Sequence, residues 1–218
     1  MKTKVERKRI FVVDDHPIFR RGLAESINAE PDLEVCGQAD NCRDALDGIL
    51  RTKPDLAILD VTLPDKSGLD LLKDILAAAP ETLVMMVSMH EETLYAERAV
   101  RSGARGYVMK NEDPEKLLQC IRQILAGQIY LSSDASHTIL QGLSGRKGNK
   151  SGSPVDQLSE REFEVFQLIG QGRTTNEIAE RLNLSVRTVV VHCSNIRRKL
   201  RVKHQTELVK YSVQWQGA

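Results

Sequence analysis

The sequence predicts an α/β doubly wound sheet of five parallel strands, followed by a separate all-α domain of four helices. Three observations lead there. Short apolar runs alternate five times with segments of helical periodicity, the pattern of a sheet wound by crossover helices. The runs are continuously apolar, as strands buried on both faces are. From Leu158 onward the strand signal stops and only helical periodicity remains.

The elements follow in order. Strand one is expected near Arg9–Val13, running into Asp14-Asp15. Pro17 suits a first helical turn, and Ile18, Phe19, Leu23 and Ile27 are expected to share that helix's inner face. Pro31-Asp32 breaks the helix, and Leu33–Ala39 is the second strand. Asn41 caps a helix running to about Thr52. Leu56-Ala57-Ile58-Leu59-Asp60 is the third strand, an apolar run ending on a carboxylate. A turn-rich loop from Thr62 to Gly68 follows. A helix over Leu69–Ala79 places Leu72, Ile75, Leu76 and Ala79 on one side, and Pro80 ends it. The strand to Ser88, a helix near Tyr95–Ser102, the strand Gly106–Met109 and a helix near Pro114–Ala126 complete five units.

Ser132–Leu143 is expected to form a short helix. Ser144 to Pro154 lacks apolar residues and suits a flexible linker. Within it, Gly148-Asn149-Lys150-Ser151 superficially resembles a phosphate-binding loop. That loop needs glycine directly before lysine, between a strand and a helix; here Asn149 intervenes and no strand precedes. Nucleotide binding is not expected. Beyond the linker, Ser159-Glu160-Arg161-Glu162 and Thr174-Thr175-Asn176-Glu177 both fit a capping box. Gly170 and Gly172 close the first helix, and Ile178, Ala179 and Leu182 mark the second. After the tight turn Asn183-Leu184-Ser185 comes a helix over Val186–Leu200, then one near Gln205–Gln214. A short helix, a tight turn and a longer helix in a basic segment form the helix-turn-helix pattern.

Charge separates the two halves. Residues 1–131 carry 18 basic and 22 acidic side chains, whereas residues 157–218 carry 10 basic and 6 acidic. The basic half is the candidate for contact with a polyanion. The four cysteines, Cys36, Cys42, Cys120 and Cys193, show neither metal-type spacing nor disulfide-like clustering, and are expected to be buried or reduced thiols. The basic start leads into a strand rather than a signal-peptide core. No apolar run approaches the ~18 residues of a membrane span. A soluble cytoplasmic protein without membrane partners is expected.

In a parallel sheet the strand ends share one edge, where such sheets bind ligands. Asp14, Asp15, Asp60, Ser88 and Lys110 would then meet there. A carboxylate can attack phosphorus and become an acyl phosphate. Because donor and acceptor are both anionic, Mg²⁺ is the expected helper, held by one or two carboxylates with phosphate oxygens and water. Asp15 and Asp60 suit direct ligation, and Asp14 suits direct or water-mediated contact. Lys110 supplies positive charge to phosphoryl oxygens, and Ser88 a hydroxyl. His16 is set aside because imidazole does not suit Mg²⁺.

Asp14-Asp15, Asp60, Ser88, Tyr107 and Lys110, with the Leu63-Pro64-Asp65-Lys66-Ser67-Gly68 loop, resemble the receiver domain of bacterial response regulators, a flavodoxin-like fold, over about residues 8–127. The resemblance implies that Asp60 accepts a phosphoryl group from a sensor histidine kinase. It implies Mg²⁺ held by Asp14, Asp15, Asp60 and the Thr62 backbone carbonyl, phosphoryl contacts from Lys110 and Ser88, and a switch formed by Ser88 and Tyr107. Asn111 stands where many receivers carry proline.

Residues 157–218 resemble the LuxR-type DNA-binding domain through Leu158-Ser159-Glu160-Arg161-Glu162, Glu177-Ile178-Ala179-Glu180-Arg181-Leu182, Thr188-Val189, Val191-His192, Asn195-Ile196 and Arg198-Lys199-Leu200. Together the two matches resemble a NarL/FixJ-type response regulator, with residues 128–156 as helix and linker between domains. The resemblance implies that the Val186–Leu200 helix enters the major groove of double-stranded DNA and that the protein forms a homodimer when phosphorylated. Periodicity places Val189, Cys193, Ile196 and Leu200 on the buried stripe. Arg187, Val190, Val191, Ser194 and Arg198 occupy the opposite face, and the two valines there suit either packing against the receiver at rest or thymine methyl groups on DNA. Relatives often carry lysine at Val190 and at Asn176, and a basic or polar residue at Ser194. A charge run, Arg197, Arg198, Lys199, Arg201 and Lys203, closes the helix; it complements the helix dipole and phosphate contacts are expected from some of its members.

Two alternatives stand beside this reading. An aspartate-nucleophile phosphatase would place a second acid two residues after Asp60, where Thr62 stands, so no turnover beyond slow self-hydrolysis is expected. A receiver serving only as a dimer or interaction module would need none of the acidic set.

Overall fold

The structure, a computed structural model, describes residues 7–89, 92–132, 135–137 and 154–216. The chain divides into two compact units, Met1–Gly145 and Arg146–Ala218.

In the first unit, strands β1 (Lys8–Val13), β2 (Leu33–Ala39), β3 (Leu56–Asp60), β4 (Leu83–Ser88) and β5 (Gly106–Met109) alternate with helices α1 (Pro17–Ala29), α2 (Cys42–Thr52), α3 (Gly68–Ala78), α4 (Glu92–Arg101) and α5 (Pro114–Leu125). The strands form one parallel sheet in the order β2-β1-β3-β4-β5. Strand order reverses beside β1, which creates the ligand crevice of open α/β sheets at the carboxyl ends of β1 and β3. β3 is central and every residue in it is buried.

Alternation along the strands serves two layers. Ile10, Val12, Leu56, Ile58, Met85, Val87 and Val108 join Leu23 and Ile27 of α1 and Leu117, Ile121 and Ile124 of α5 in one core cluster. On the other face, the Phe11 ring lies against Gly48 of α2 and Gly37 of β2. A Cβ at Gly48 would come 2.6 Å from that ring, so close packing explains a mid-helix glycine that helix propensity disfavours.

Local chemistry fixes the helix starts. Asn41 accepts from the Asp44 N–H, Ser67 from Leu69 and Asp113 from Glu115, each satisfying an orphan donor. Pro17 and Pro114 occupy first turns. One expectation is corrected: Ile18 is 88% exposed, while Leu23 and Ile27 are buried and Phe19 is half-buried. The inner stripe of α1 begins at Phe19, which packs against the core cluster, so Ile18 falls on the outer face. Residues 135–137 are helical; the rest of the expected 132–143 helix beyond Ser132, and residues 144–153 of the linker, lie outside the described residues.

Among its described residues the second unit holds a 3-10 turn (Pro154–Gln157) and four helices, α6 (Glu160–Gly170), α7 (Thr175–Arg181), α8 (Val186–Leu200) and α9 (Gln205–Gln216). Both capping boxes form, Ser159 with Glu162 and Thr174 with Glu177. Asn183 takes a left-handed conformation (φ 51°) in the turn between α7 and α8, a role asparagine tolerates. Trp215 of α9 meets Phe163 and Phe166 of α6 at ring distances of 5.5 and 5.8 Å, which clamps the last helix to the first. Among the described residues, no helix is long and apolar enough to cross a membrane.

Candidate functional site: an acidic sheet edge and an exposed helix face

The pairing of neighbouring strands brings their ends level. Val13 lies beside Leu59, Asp60 beside Val87, and Ser88 beside Met109. Asp14, Asp60, Ser88 and Lys110 therefore emerge along one edge. Asp14 and Asp60 are almost fully buried, at 0% and 3% exposure, and Asp15 is half-buried. The Lys110 ammonium stands 2.6 Å from Asp60 Oδ2 and 2.7 Å from Asp14 Oδ2. It also lies 5.0 Å from the centre of the Phe19 ring, a placement that supports a desolvated cation.

Asp14 is held from several sides. Its N–H donates to the Ala39 carbonyl at 3.1 Å. Its Oδ1 accepts the His16 N–H at 2.8 Å, and its own carbonyl accepts from the Arg20 guanidinium. Asp60 Oδ1 accepts the Thr62 N–H at 3.3 Å. Burial pushes the Asp60 carboxyl up to about 7; Lys110 opposes the rise and Asp14 adds to it. This is a carboxylate poorly compensated by protein alone.

Asp14, Asp15, His16 and Asp60 each bring one ligand-type atom within 4.8 Å of the others. Asp14 Oδ2 and Asp15 Oδ1 are buried, each with a nitrogen at 2.7 Å (Lys110 Nζ and His16 Nδ1) but without a hydrogen bond of good geometry. Buried hard carboxylate oxygens of this kind fit a small divalent cation. His16, not expected as a ligand, nonetheless holds its Nδ1 2.7 Å from Asp15 Oδ1, 3.4 Å from Asp14 Oδ1 and 3.9 Å from Asp60 Oδ2. Proximity in sequence was its only signal.

Ser88 and Tyr107 are both fully buried, Ser88 at the end of β4 and Tyr107 beside Met86 in β5. The Ser88 carbonyl accepts the Lys110 N–H at 2.8 Å, which ties the hydroxyl-bearing residue to the cation. Among the described residues no peptide bond is cis, so Asn111 follows Lys110 through a trans bond. Two features of the loop after Asp60 were not singled out in the sequence. Asp65 accepts the N–H groups of Cys42 and Arg43 at 2.9 and 3.2 Å, anchoring the loop to the start of α2. Gly68 sits so close to β3 that a Cβ there would fall 1.8 Å from the Asp60 carbonyl oxygen.

In the helical unit, α8 buries Val189, Cys193, Ile196 and Leu200. Arg187, Val190, Val191, Ser194 and Arg198 are all exposed, with Val190 and Val191 at 53% and 52%. Ser185 caps the helix by accepting the Thr188 N–H at 3.0 Å. Arg198 donates to Asn195 Oδ1 at 3.1 Å along the same surface. Lys199, counted in the basic run, instead pairs with Glu162 of α6 at 2.6 Å.

Comparison with known proteins agrees with both units. The family model for the response regulator receiver domain matches residues 10–122, and that for bacterial regulatory proteins of the luxR family matches residues 156–212. The oxygen regulatory protein NreC of Staphylococcus carnosus is 32% identical over 209 residues, spanning 94% of this chain and 96% of that protein. A LuxR-family two-component response regulator from Aurantimonas sp. SI85-9A1 is 33% identical with a TM-score of 0.59, covering 64% of this chain and 99% of that one. RcsB of Salmonella enterica serovar Typhimurium, solved bound to promoter rprA in the presence of the phosphomimetic BeF3−, superposes with a TM-score of 0.61 over 95% of this chain and 99% of its own. At 23% identity that likeness shows the fold alone.

Proposed function

The chain belongs to the two-component response regulators that join a receiver domain to a LuxR-type helix-turn-helix DNA-binding domain, and from that premise we propose that phosphorylation of Asp60 controls where it binds DNA. One observation carries the reading: a nearly buried aspartate, raised towards neutrality by burial, faces a buried lysine and a second buried carboxylate at the edge where ligands bind.

The phosphoryl donor is a sensor histidine kinase. An Asp60 carboxylate oxygen attacks phosphorus, the donor's P–N bond breaks as the O–P bond forms, and an acyl phosphate results. Asp14, Asp15, Asp60 and the Thr62 carbonyl would hold Mg²⁺, which when bound offsets the negative charge shared by carboxylate and phosphoryl group. Lys110 keeps its ammonium beside the Asp60 oxygen, positioned for a phosphoryl oxygen without reorganisation. The Thr62 N–H, already on Asp60 Oδ1, orients the nucleophile. Ser88 turns its hydroxyl to the new anion and Tyr107 packs beneath, biasing a two-state element. Apart from slow self-hydrolysis of the acyl phosphate, no catalytic turnover is assigned to the chain.

The output is a cytoplasmic transcription regulator. In the phosphorylated state a homodimer places two α8 helices in successive major grooves. Arg187 and Arg198 contact phosphate or guanine, Ser194 a base edge or phosphate, and Val190 and Val191 pack on thymine methyls. Residues 8–127 serve as receiver, 157–218 as DNA-binding domain and 128–156 as their connection.

The test is capture and sequencing of genomic fragments by the full chain, with and without beryllofluoride. Enrichment of a two-fold symmetric site only with beryllofluoride is expected. Equal enrichment in both states would overturn phosphorylation control and favour a receiver acting as a constitutive dimer module. Separately, Asp60→Asn should take up no phosphoryl group at that position; retained labelling there would overturn the acceptor assignment.

A further inference from the structure

We propose that Val190 and Val191 read the C5 methyl group of a pyrimidine whether thymine or 5-methylcytosine carries it, so that cytosine C5 methylation of a half-site strengthens binding. The inference rests on the reading of α8 as the helix that enters the major groove, and adds a regulation of that site.

The make-up of the exposed face carries it. At about 100° per residue, Arg187, Ser194 and Arg198 run along one line of α8, and Val190 and Val191 flank that line on opposite sides. Val186, in the first turn, is exposed as well, four residues before Val190. Among the described residues no other element exposes three large apolar side chains. β-Branched residues are disfavoured in helices, and α8 is already held by its buried Val189, Cys193, Ile196 and Leu200. The exposed valines therefore serve neither the helix nor its packing. An apolar patch of this kind marks a contact surface. Charge says for which partner: Arg187 and Arg198 border the patch, in a segment with 10 basic and 6 acidic residues. A polyanion that carries methyl groups in its groove complements both features.

A second observation is what the face lacks. Arg198 spends a guanidinium N–H on Asn195 Oδ1 at 3.1 Å. Lys199 turns to Glu162 of α6 at 2.6 Å. Arg187 and Ser194 remain as hydrogen-bonding groups on the middle line, while a valine offers neither donor nor acceptor.

The chemistry follows from the edges of the bases. In the major groove thymine presents the O4 acceptor and a C5 methyl, whereas cytosine presents an N4 amino donor and a bare C5–H. Methylation of cytosine at C5 puts the same methyl group at the same position of the ring. A hydrogen-bonding side chain would tell O4 from the N4 amino group. An isopropyl group does not, and responds to the methyl alone. Burying one methyl against it is worth about fourfold in affinity.

The experiment selects duplexes from a random-sequence library with the full chain, beryllofluoride and Mg²⁺, then resynthesises the selected site with single changes. Each thymine is replaced by deoxyuridine, which deletes only the methyl. The same T·A pair is also replaced by C·G, with and without the C5 methyl. Affinities are measured by fluorescence anisotropy for the wild-type chain, Val190→Ala and Val191→Ala, whose folds are checked by circular dichroism. At a thymine of each half-site, deoxyuridine should weaken wild-type binding about fourfold, and 5-methylcytosine should bind about fourfold more tightly than cytosine. In the variant lacking the contacting valine both ratios should fall to about one, a coupling that a general loss of affinity does not produce. The absence of either ratio at every position, or ratios that persist in both variants, would overturn the methyl reading and leave α8 as a DNA-binding helix. Selection of no sequence by the wild-type chain would overturn both.

Discussion

Replacing Lys110 by methionine is expected to destabilise the receiver by about 3–5 kcal/mol. The lysine side chain is 4% exposed and its ammonium contacts two carboxylates at 2.6 and 2.7 Å. At an effective dielectric near 20, one such contact is worth roughly 6 kcal/mol before desolvation, and most of that is offset by taking the charges out of water. What methionine leaves behind is decisive: two buried carboxylates without their shared cation. Methionine retains the apolar stem against Phe19, so packing changes little. The measurement is metal-free urea unfolding near pH 8, followed by far-ultraviolet circular dichroism and by fluorescence of the one tryptophan, Trp215. With a slope of about 1.5 kcal/mol per molar urea, the receiver transition should move down by about 2–3 M. The fluorescence transition should stay in place, because Trp215 packs on Phe163 and Phe166 within the helical unit. Adding Asp60→Asn should recover about half of the loss. The pH sign follows from Asp60, whose carboxyl is pushed up to about 7 by burial, so that the native state holds its proton below that pH. The loss should therefore shrink as pH falls through that value. A loss under about 1 kcal/mol, or a double variant no more stable than Lys110→Met, would refute buried-charge compensation as the role of Lys110.

Three further outcomes are expected. Gly68→Ala should lower receiver stability by about 3 kcal/mol and slow phosphoryl uptake, because its Cβ would meet backbone at 1.8 Å; thermal unfolding and labelling with acetyl phosphate check it. Asp65→Ala should lower stability by about 1 kcal/mol by freeing the Cys42 and Arg43 N–H groups at the start of α2, and hydrogen exchange should rise at those two amides. Val190→Lys should strengthen non-specific DNA binding and steepen its salt dependence by about 0.9 in log–log slope. An unchanged slope would count against Val190, 53% exposed, facing DNA.

The elements were legible wherever periodicity is strong. The bounds expected for α2 and α8 are those observed, Asn41 caps α2, and both capping boxes form. The buried stripe of α8 is the expected one, because a helix packed on one side displays its neighbours in its spacing. Ile18 misled because an apolar residue in the first turn fits the stripe by spacing but lies beyond the core. His16, Asp65 and Gly68 were harder to read for one shared reason. Each acts through a contact that no local pattern encodes: a ring swung back to neighbouring carboxylates, a loop carboxylate on another helix's amides, and a backbone approach to β3. Lys199 shows the same limit, since its partner Glu162 is 37 residues away.

The level strand ends also determine where this unit can change length. One residue inserted within β1, β3, β4 or β5 would turn every following side chain to the opposite face. It would carry an aspartate, Ser88 or Lys110 away from the common edge. The turns at the other end, residues 53–55, 79–82 and 102–105, carry none of these groups. They can lengthen, accept a fused peptide or become new termini without disturbing the edge. Length variation among descendants of this chain should therefore gather at the amino ends of the strands and spare their interiors, which makes those three turns the first places to graft a reporter.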